Sequence, residues 1–474
     1  MHSQLGAVNP SPLPRLHAGW FCAIVLFAGA VVYFTPRWML ATPVVLACMV
    51  FTAWLLWEHP WGLLCAVLLP AMGIGAMGTI ESSGGTLLAP SLFFVAAGVL
   101  PFLVLCGLGI RGLGWESPLS LHFAIFWVAI FFTVLPSVSM LHWARGLLEV
   151  SLGYGFFLFP YVYMKTQREL RLLLKVLLGL AIFTVLCGHL EHWFYDSFQG
   201  FLPRLYPEAH MESMELSRAD GRMMGNWVYP SDFGSILNLL APLALYLYVS
   251  AKRNWFWPLL LFLSVASCIF LTATRAPILA FCGSTFVFCL LVKQRRSRIL
   301  LSGAVLAVVL LFTPLFSDTL RRFDLSEPEN LASVESRGLI RLEALGFFLE
   351  HPVLGIGYRN YPDRGHFDPH MATHNVYLEQ AAETGSVGLL AFLYLLYGAL
   401  RLEFRPAKKR LPQDLQDLRY ALFCAALAVA IESLAQNSFY VWQIWCLFWL
   451  NRGISAAIAT RPEAFGREHA VAIV

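Results

Sequence analysis

Residues 232–292 read DFGSILNLLAPLALYLYVSAKRNWFWPLLLFLSVASCIFLTATRAPILAFCGSTFVFCLLV. Three apolar runs, 232–250, 255–272 and 276–292, follow one another here. Only Lys252-Arg253 and the short turn Thr272–Pro277 separate them. Each run is close to the roughly 20 residues an α-helix needs to cross a hydrocarbon core about 30 Å thick. Working outward, runs of similar length recur upstream near 19–35, 39–57, 60–79, 87–110, 119–137, 147–164 and 172–188. Downstream they recur near 299–317, 385–401, 419–437 and 440–458. The pattern predicts an all-α polytopic membrane protein with about 12–14 transmembrane helices, built as one integral membrane domain over 1–474. Composition points the same way: 58% of the 474 residues are hydrophobic and 13% charged, against about 25% charged in soluble domains.

Charge placement sets an orientation. Lys165, Arg168 and Arg171, then Lys252-Arg253, then Lys293, Arg295, Arg296 and Arg298 fall in alternate connectors. Arg111, the 401–419 cluster and Arg461 continue the alternation. By the positive-inside rule these connectors and both termini are cytoplasmic. Two long connectors, 189–231 and 318–384, then lie outside, where length overrides their arginines. The N-terminal run has no small-residue cleavage pattern behind it, so it reads as a retained anchor. The net charge of +4 is not gathered into a basic arm or an aromatic-interleaved stripe, which excludes a nucleic-acid partner. The ten cysteines sit within or at the edge of apolar segments with no CxxC pair, and read as small buried residues.

Polar chemistry concentrates in the outer connectors. The first contains Arg222, and the turn Thr272–Pro277 places Arg275 at a membrane surface. The second carries an amphipathic helix with Leu339, Ile340, Leu342, Leu345, Phe348 and Leu349 at helical spacing and Arg337 and Arg341 on other faces;. His351-Pro352 ends it, Gly355-Ile356-Gly357 makes a turn, and a further helix starts near Thr373–Asn375;. Guanidinium groups beside a membrane suit phosphate or pyrophosphate, because the fork stays charged and donates bidentate hydrogen bonds. If Arg222, Arg275 and Arg337 converge, they can hold a lipid-linked diphosphate and stabilise its departure. A neighbouring histidine can then act as general base on a sugar hydroxyl. His366, His370 and His374 have the i, i+4, i+8 spacing of a metal site, but Pro369 interrupts the helix this would need;. No metal and no cofactor are expected. Glu432, inside an apolar run, reads either as a buried structural partner or as a proton-relay group.

These residues resemble the O-antigen ligase/polymerase superfamily of bacterial membrane glycosyltransferases. The resemblance rests on Gly221–Asn226 with Pro230-Ser231-Asp232, on Thr274-Arg275-Ala276 and on Ser336-Arg337. It continues through His351–Gly357, His374–Leu378 and Glu383–Leu390, so it spans roughly residues 220–400. The resemblance implies a GT-C-like helical fold and metal-independent transfer. Glycan would pass from undecaprenyl pyrophosphate to a glycan or lipid acceptor on the periplasmic face of the bacterial inner membrane. It also implies that Arg222, Arg275 and Arg337 engage the pyrophosphate and that His374 activates the acceptor hydroxyl. Arg341 stands where the family commonly has a bulky apolar residue; it either joins the anion site, as we place it, or faces solvent. A ligase and a repeat-unit polymerase, for lipopolysaccharide or exopolysaccharide, share these motifs, and either would serve a polysaccharide assembly complex. The rival class is an anion or bicarbonate transporter centred on intramembrane ionisable residues. A third reading, a non-catalytic scaffold, leaves the arginines without a role.

Overall fold

The computed structural model describes residues 117–198, 208–311, 328–365, 372–404 and 411–465 without a break, and short pieces between 59 and 106 and between 321 and 326. The first spans predicted near 19–35 and 39–57, most of the next two, and His366 and His370 lie outside the described residues.

Helices dominate. They are α1 (Ser120–Phe132), α2 (Met140–Tyr163), α3 (Gln167–Phe198), α4 (Glu208–Ala219), α5 (Pro230–Ser250) and α6 (Phe256–Leu271). Then follow α7 (Arg275–Leu291), α8 (Arg296–Leu311), α9 (Pro328–Glu350), α10 (Val376–Arg401), α11 (Gln413–Glu432) and α12 (Trp442–Thr460). Among the described residues the only strand pairing is a two-residue ladder of Ile80–Glu81 with Leu87–Leu88. Among the described residues, every apolar run predicted from residue 119 onward overlaps one of these helices. Helix α2 starts at Met140 rather than 147. Its polar first turns, with His142 and Arg145, masked that start. The expected outer connector 189–231 contains the end of α3, kinked at Phe194, and all of α4.

Gln167–Phe194, Pro230–Ser250 and Val376–Phe404 are each long and apolar enough to cross a membrane, and Arg275–Leu291 with Lys293–Val308 qualify as a pair bent by 102°. Two consecutive antiparallel spans would need a near reversal, so α8 turns aside from the path expected for 299–317. The protein is all-α and polytopic.

Burial follows the lipid logic of such a bundle. Helix α5 is apolar on every side and buried along almost its whole length, as a central helix must be. It packs against α6, α7 and α11, while α2 lies along α12 and α1 along α10. The outer helices α1 and α3 instead expose Leu121, Val128, Phe132, Phe183 and Leu186. Exposed apolar rows of this extent suit a hydrocarbon surround. Cys106, Cys268, Cys289, Cys424 and Cys446 are buried as expected, whereas Cys282 is exposed on α7.

One feature of the backbone places the site. Helix α10 breaks at Gly385, whose φ is 63° and ψ −166°, a conformation open to glycine and costly for other residues. A break strips nearby carbonyls and amides of their helical partners. The turn after α9 supplies replacements. Ile356 N donates to Ala382 O at 3.0 Å and Gly357 N to Glu383 O at 2.9 Å, and Ser386 N donates to Pro352 O at 2.8 Å. Backbone approaches backbone so closely that a Cβ on Gly355 would lie 2.3 Å from the Glu383 carbonyl carbon. This splice locks α9 against α10 and thereby sets Arg337 and Arg341 over the start of α10.

Candidate functional site

The site is assembled from three chain segments. Arg275 is the first residue of α7, preceded by Thr274 in extended conformation. The turn before it is strained, with Ala273 at φ 47°. Arg222 braces that turn: its Nε donates to Thr272 O at 3.1 Å and its Nη2 to Thr274 Oγ1 at 2.8 Å. Met223 N adds a bond to Leu271 O at 2.9 Å. Arg222 therefore meets Arg275 through the turn that carries it.

Arg337 and Arg341 are one helical turn apart on α9, hence on one face. Arg337 is held below the usual arginine range by burial and then by the charges of Arg275 and Arg341. Among the described residues no carboxylate forms an ion pair with any of these three arginines. A cluster of like charges is unfavourable without an anion between them. Arg275 opens α7 and His374 precedes α10, each within electrostatic reach of Arg337, and each helix start presents the positive end of its dipole.

His374 lies just ahead of α10, where Asn375 caps the helix by accepting from Leu378 N at 3.1 Å. Its φ of 51° is a left-handed conformation uncommon outside glycine and frequently found at functional sites. Arg341 Nη2 donates to the His374 carbonyl oxygen at 3.0 Å. Arg341, half-buried, thus turns toward the start of α10. Burial, and then the charge of Arg337, lower the His374 pKa to about 4. The imidazole is neutral at physiological pH, the state a general base requires.

The surroundings of His374 include residues that sequence reasoning passed over. Its Nδ1 lies 3.3 Å from Gln436 Oε1. Gln436 is in the connector after α11, and Val376 N donating to Ser433 O at 2.9 Å ties that connector to the start of α10. Glu379, in the first turn of α10, accepts from Thr373 N at 3.1 Å and Thr373 Oγ1 at 2.8 Å, and also from Asn437 Nδ2. One buried carboxylate so holds the residue before His374 and the residue after Gln436. Deeper in, Glu383 accepts from Tyr361 N at 3.0 Å and from Tyr440 OH at 2.7 Å. Arg359 pairs with Glu149 and stacks 4.2 Å from the Tyr440 ring. The polar pair Gln436-Asn437 at the end of an apolar run is the sequence signal that could have found this layer.

Glu432 takes no part in the cluster. It accepts from Ser235 Oγ and, at 3.0 Å, from Asn238 Nδ2, which also donates to Pro277 O at 3.0 Å. The carboxylate joins α11 to α5 and, through Asn238, to α7. Of its two readings, these contacts support the buried structural partner.

Residues 259–393 match the family model described as O-antigen ligase. The matched region includes Arg275, Arg337, Arg341 and His374, while Arg222 and Gln436 lie outside it. No curated protein matches the chain. Over this matched region, which holds Arg275, Arg337, Arg341 and His374, the chain is similar to the O-antigen ligase family.

Proposed function

We propose that the protein transfers glycan from a polyprenyl pyrophosphate, of the undecaprenyl type, to an acceptor hydroxyl on the periplasmic side of the bacterial inner membrane. The observation that carries this reading is the juxtaposition of three arginines, unpaired with any described carboxylate, with a neutral histidine. Arg275, Arg337 and Arg341 hold the diphosphate, and Arg222 braces the turn that presents Arg275. The acceptor oxygen attacks the anomeric carbon as the bond from that carbon to the pyrophosphate oxygen breaks. His374 takes the hydroxyl proton. The extra negative charge on the departing polyprenyl pyrophosphate is stabilised by the guanidinium groups, which are already in place and need no reorganisation. Binding the diphosphate also offsets the positive field on His374, so its basicity rises when substrate is present.

Charge placement supports the proposed side of the membrane. Helix α5 has 21 residues, a length of roughly 30 Å. Its start adjoins the Arg222 segment, and its end is bonded by Arg295 and Arg298 through the carbonyls of Val249 and Ala251. By the positive-inside rule we read the second end as cytoplasmic. Engagement of Glu432 by Ser235 and Asn238 supports an enzyme over a transporter relying on a mobile intramembrane proton.

The test is reconstitution of purified protein with a polyprenyl-pyrophosphate oligosaccharide and candidate acceptors. Arg275→Ala, Arg337→Ala and His374→Ala are expected to lose transfer while inserting normally. Full activity in all three sinks the assignment. A ladder of lengthening glycans marks a polymerase, and one modified lipid acceptor marks a ligase.

A further inference from the structure

We propose that Gln436 is a positioning residue that fixes the His374 imidazole with its proton on Nδ1, leaving Nε2 as the nitrogen that takes the acceptor's proton. This rests on the reading of His374 as general base, and it deepens that reading by naming a residue outside the matched region 259–393 that completes the site.

The geometry comes first. Gln436 is 5% exposed, and its Oε1 lies 3.3 Å from His374 Nδ1. A carboxamide oxygen only accepts, so in this orientation Nδ1 must donate. In a neutral imidazole one nitrogen carries the proton and the other the lone pair, and the partner of one nitrogen decides the state of both. Among the described residues no other side chain bonds the His374 ring. The orienting role that a carboxylate plays in other acid–base sites therefore falls to a neutral amide.

A neutral partner suits this site. Arg337 and Arg341 from α9 face His374, and Arg275 from α7 acts on Arg337. The Glu379 carboxylate, in the first turn of α10, is directed at Thr373 and Asn437 rather than at the ring. A carboxylate in place of Gln436 would stabilise the imidazolium and leave the histidine protonated further up the pH scale. An amide fixes the tautomer without that consequence.

The arrangement is also braced at both ends. Glu379 holds Thr373 and Asn437, the neighbours of His374 and Gln436. Val376 N donating to Ser433 O pins the two segments together once more. Such duplicated anchoring keeps a left-handed histidine and a distant glutamine in register, as a productive general base requires.

The test separates this proposal from the reading beneath it. Selective 15N-histidine labelling in detergent, with the His374 signals assigned by loss in His374→Gln, reads the tautomer without any transfer assay. Wild-type protein is expected to show a protonated Nδ1 and a lone-pair Nε2 at neutral pH. Gln436→Met, similar in volume and without an acceptor oxygen, is expected to show the opposite tautomer or a mixture. In transfer assays Gln436→Met should lower kcat roughly 10- to 100-fold with KM within about twofold, as for loss of an outer-layer partner. Gln436→Glu should retain the wild-type tautomer and activity at high pH, with the acidic limb of its pH–rate profile shifted upward. If His374→Ala transfers glycan normally, the general-base reading fails. If His374→Ala is inactive but Gln436→Met keeps the wild-type tautomer, kcat and pH profile, this proposal alone is overturned.

Discussion

Arg337 and His374 are coupled through space, and that coupling gives a prediction at the scale of single residues. Burial first, and then the charge of Arg337, hold the His374 imidazole near pH 4. Arg337→Gln should therefore raise the His374 pKa toward the ordinary value of about 6.5, which an NMR titration of the labelled ring would show. An unchanged titration would place the two residues further apart than the structure has them. The depressed pKa also has a consequence for stability. The unfolded chain binds a proton at His374 between about pH 6.5 and pH 4, where the folded protein does not, so stability falls as pH drops through that window. His374→Gln should flatten this part of a thermal-stability profile, and an identical slope in the variant would contradict the assignment. Arg337→Lys keeps the charge but loses the planar fork, and transfer should fall at least about tenfold. At this scale the sequence was informative where chemistry is written in residue type. Arginines in outer connectors and a histidine before a helix cap stood out. Gln436 and Glu379 did not, because a neutral amide and a buried carboxylate in apolar surroundings have many bland roles, and only proximity selects among them.

Elements were legible in existence more than in facing. The spacing put Leu339, Ile340, Leu342, Leu345, Phe348 and Leu349 on an apolar side of α9; of these Leu339, Leu342, Leu345 and Leu349 are exposed, while Ile340 is buried together with Ala344. The helix turns its arginine-bearing side to the bundle. Clustering of guanidinium groups for an anion, and the splice of the following turn onto α10, fix its rotation more firmly than leucine burial would. Substitutions should separate the two faces. Leu342→Ser in detergent should change stability by no more than about 0.5 kcal/mol, as at other exposed positions. Ala344→Leu should overpack the buried side and cost about 1–3 kcal/mol. Equal effects in a chemical or thermal unfolding assay would mean the facing is wrong. The splice itself makes a sharper demand. Gly385→Ala places a Cβ 2.2 Å from the Val353 carbonyl oxygen at positive φ, so a melting shift larger than that of Leu342→Ser is expected, together with loss of transfer as α9 moves off α10. The sequence showed Gly385 as a break before a span; it did not show that the turn near Gly355 fills the break, because that pairing joins residues far apart along the chain.

At the scale of the whole molecule, the helical, membrane-embedded character was readable from run length alone, since the bilayer imposes a length that soluble cores do not. Paths were less readable: the 102° turn between α7 and α8 follows from Arg295 and Arg298 capping the end of α5, contacts no run of apolar residues announces. Those caps and the Arg222 segment mark opposite ends of α5, which makes the orientation of the protein testable without any substrate. Glu335 on α9 and Ser297 at the start of α8 are both exposed and lie toward the arginine cleft and the basic cluster respectively. A membrane-impermeant maleimide should label Glu335→Cys in cells with a permeabilised outer membrane, and label Ser297→Cys only after the inner membrane is opened. The native Cys282 is exposed in the middle of α7, where the surrounding hydrocarbon should shield it from a polar reagent, and the parent protein measures that background. The reverse labelling pattern would put the arginine cleft on the cytoplasmic side. Nucleotide-sugar donors are made there, whereas an exported polyprenyl-linked glycan is not presented there, so the proposed donor would then have to be abandoned.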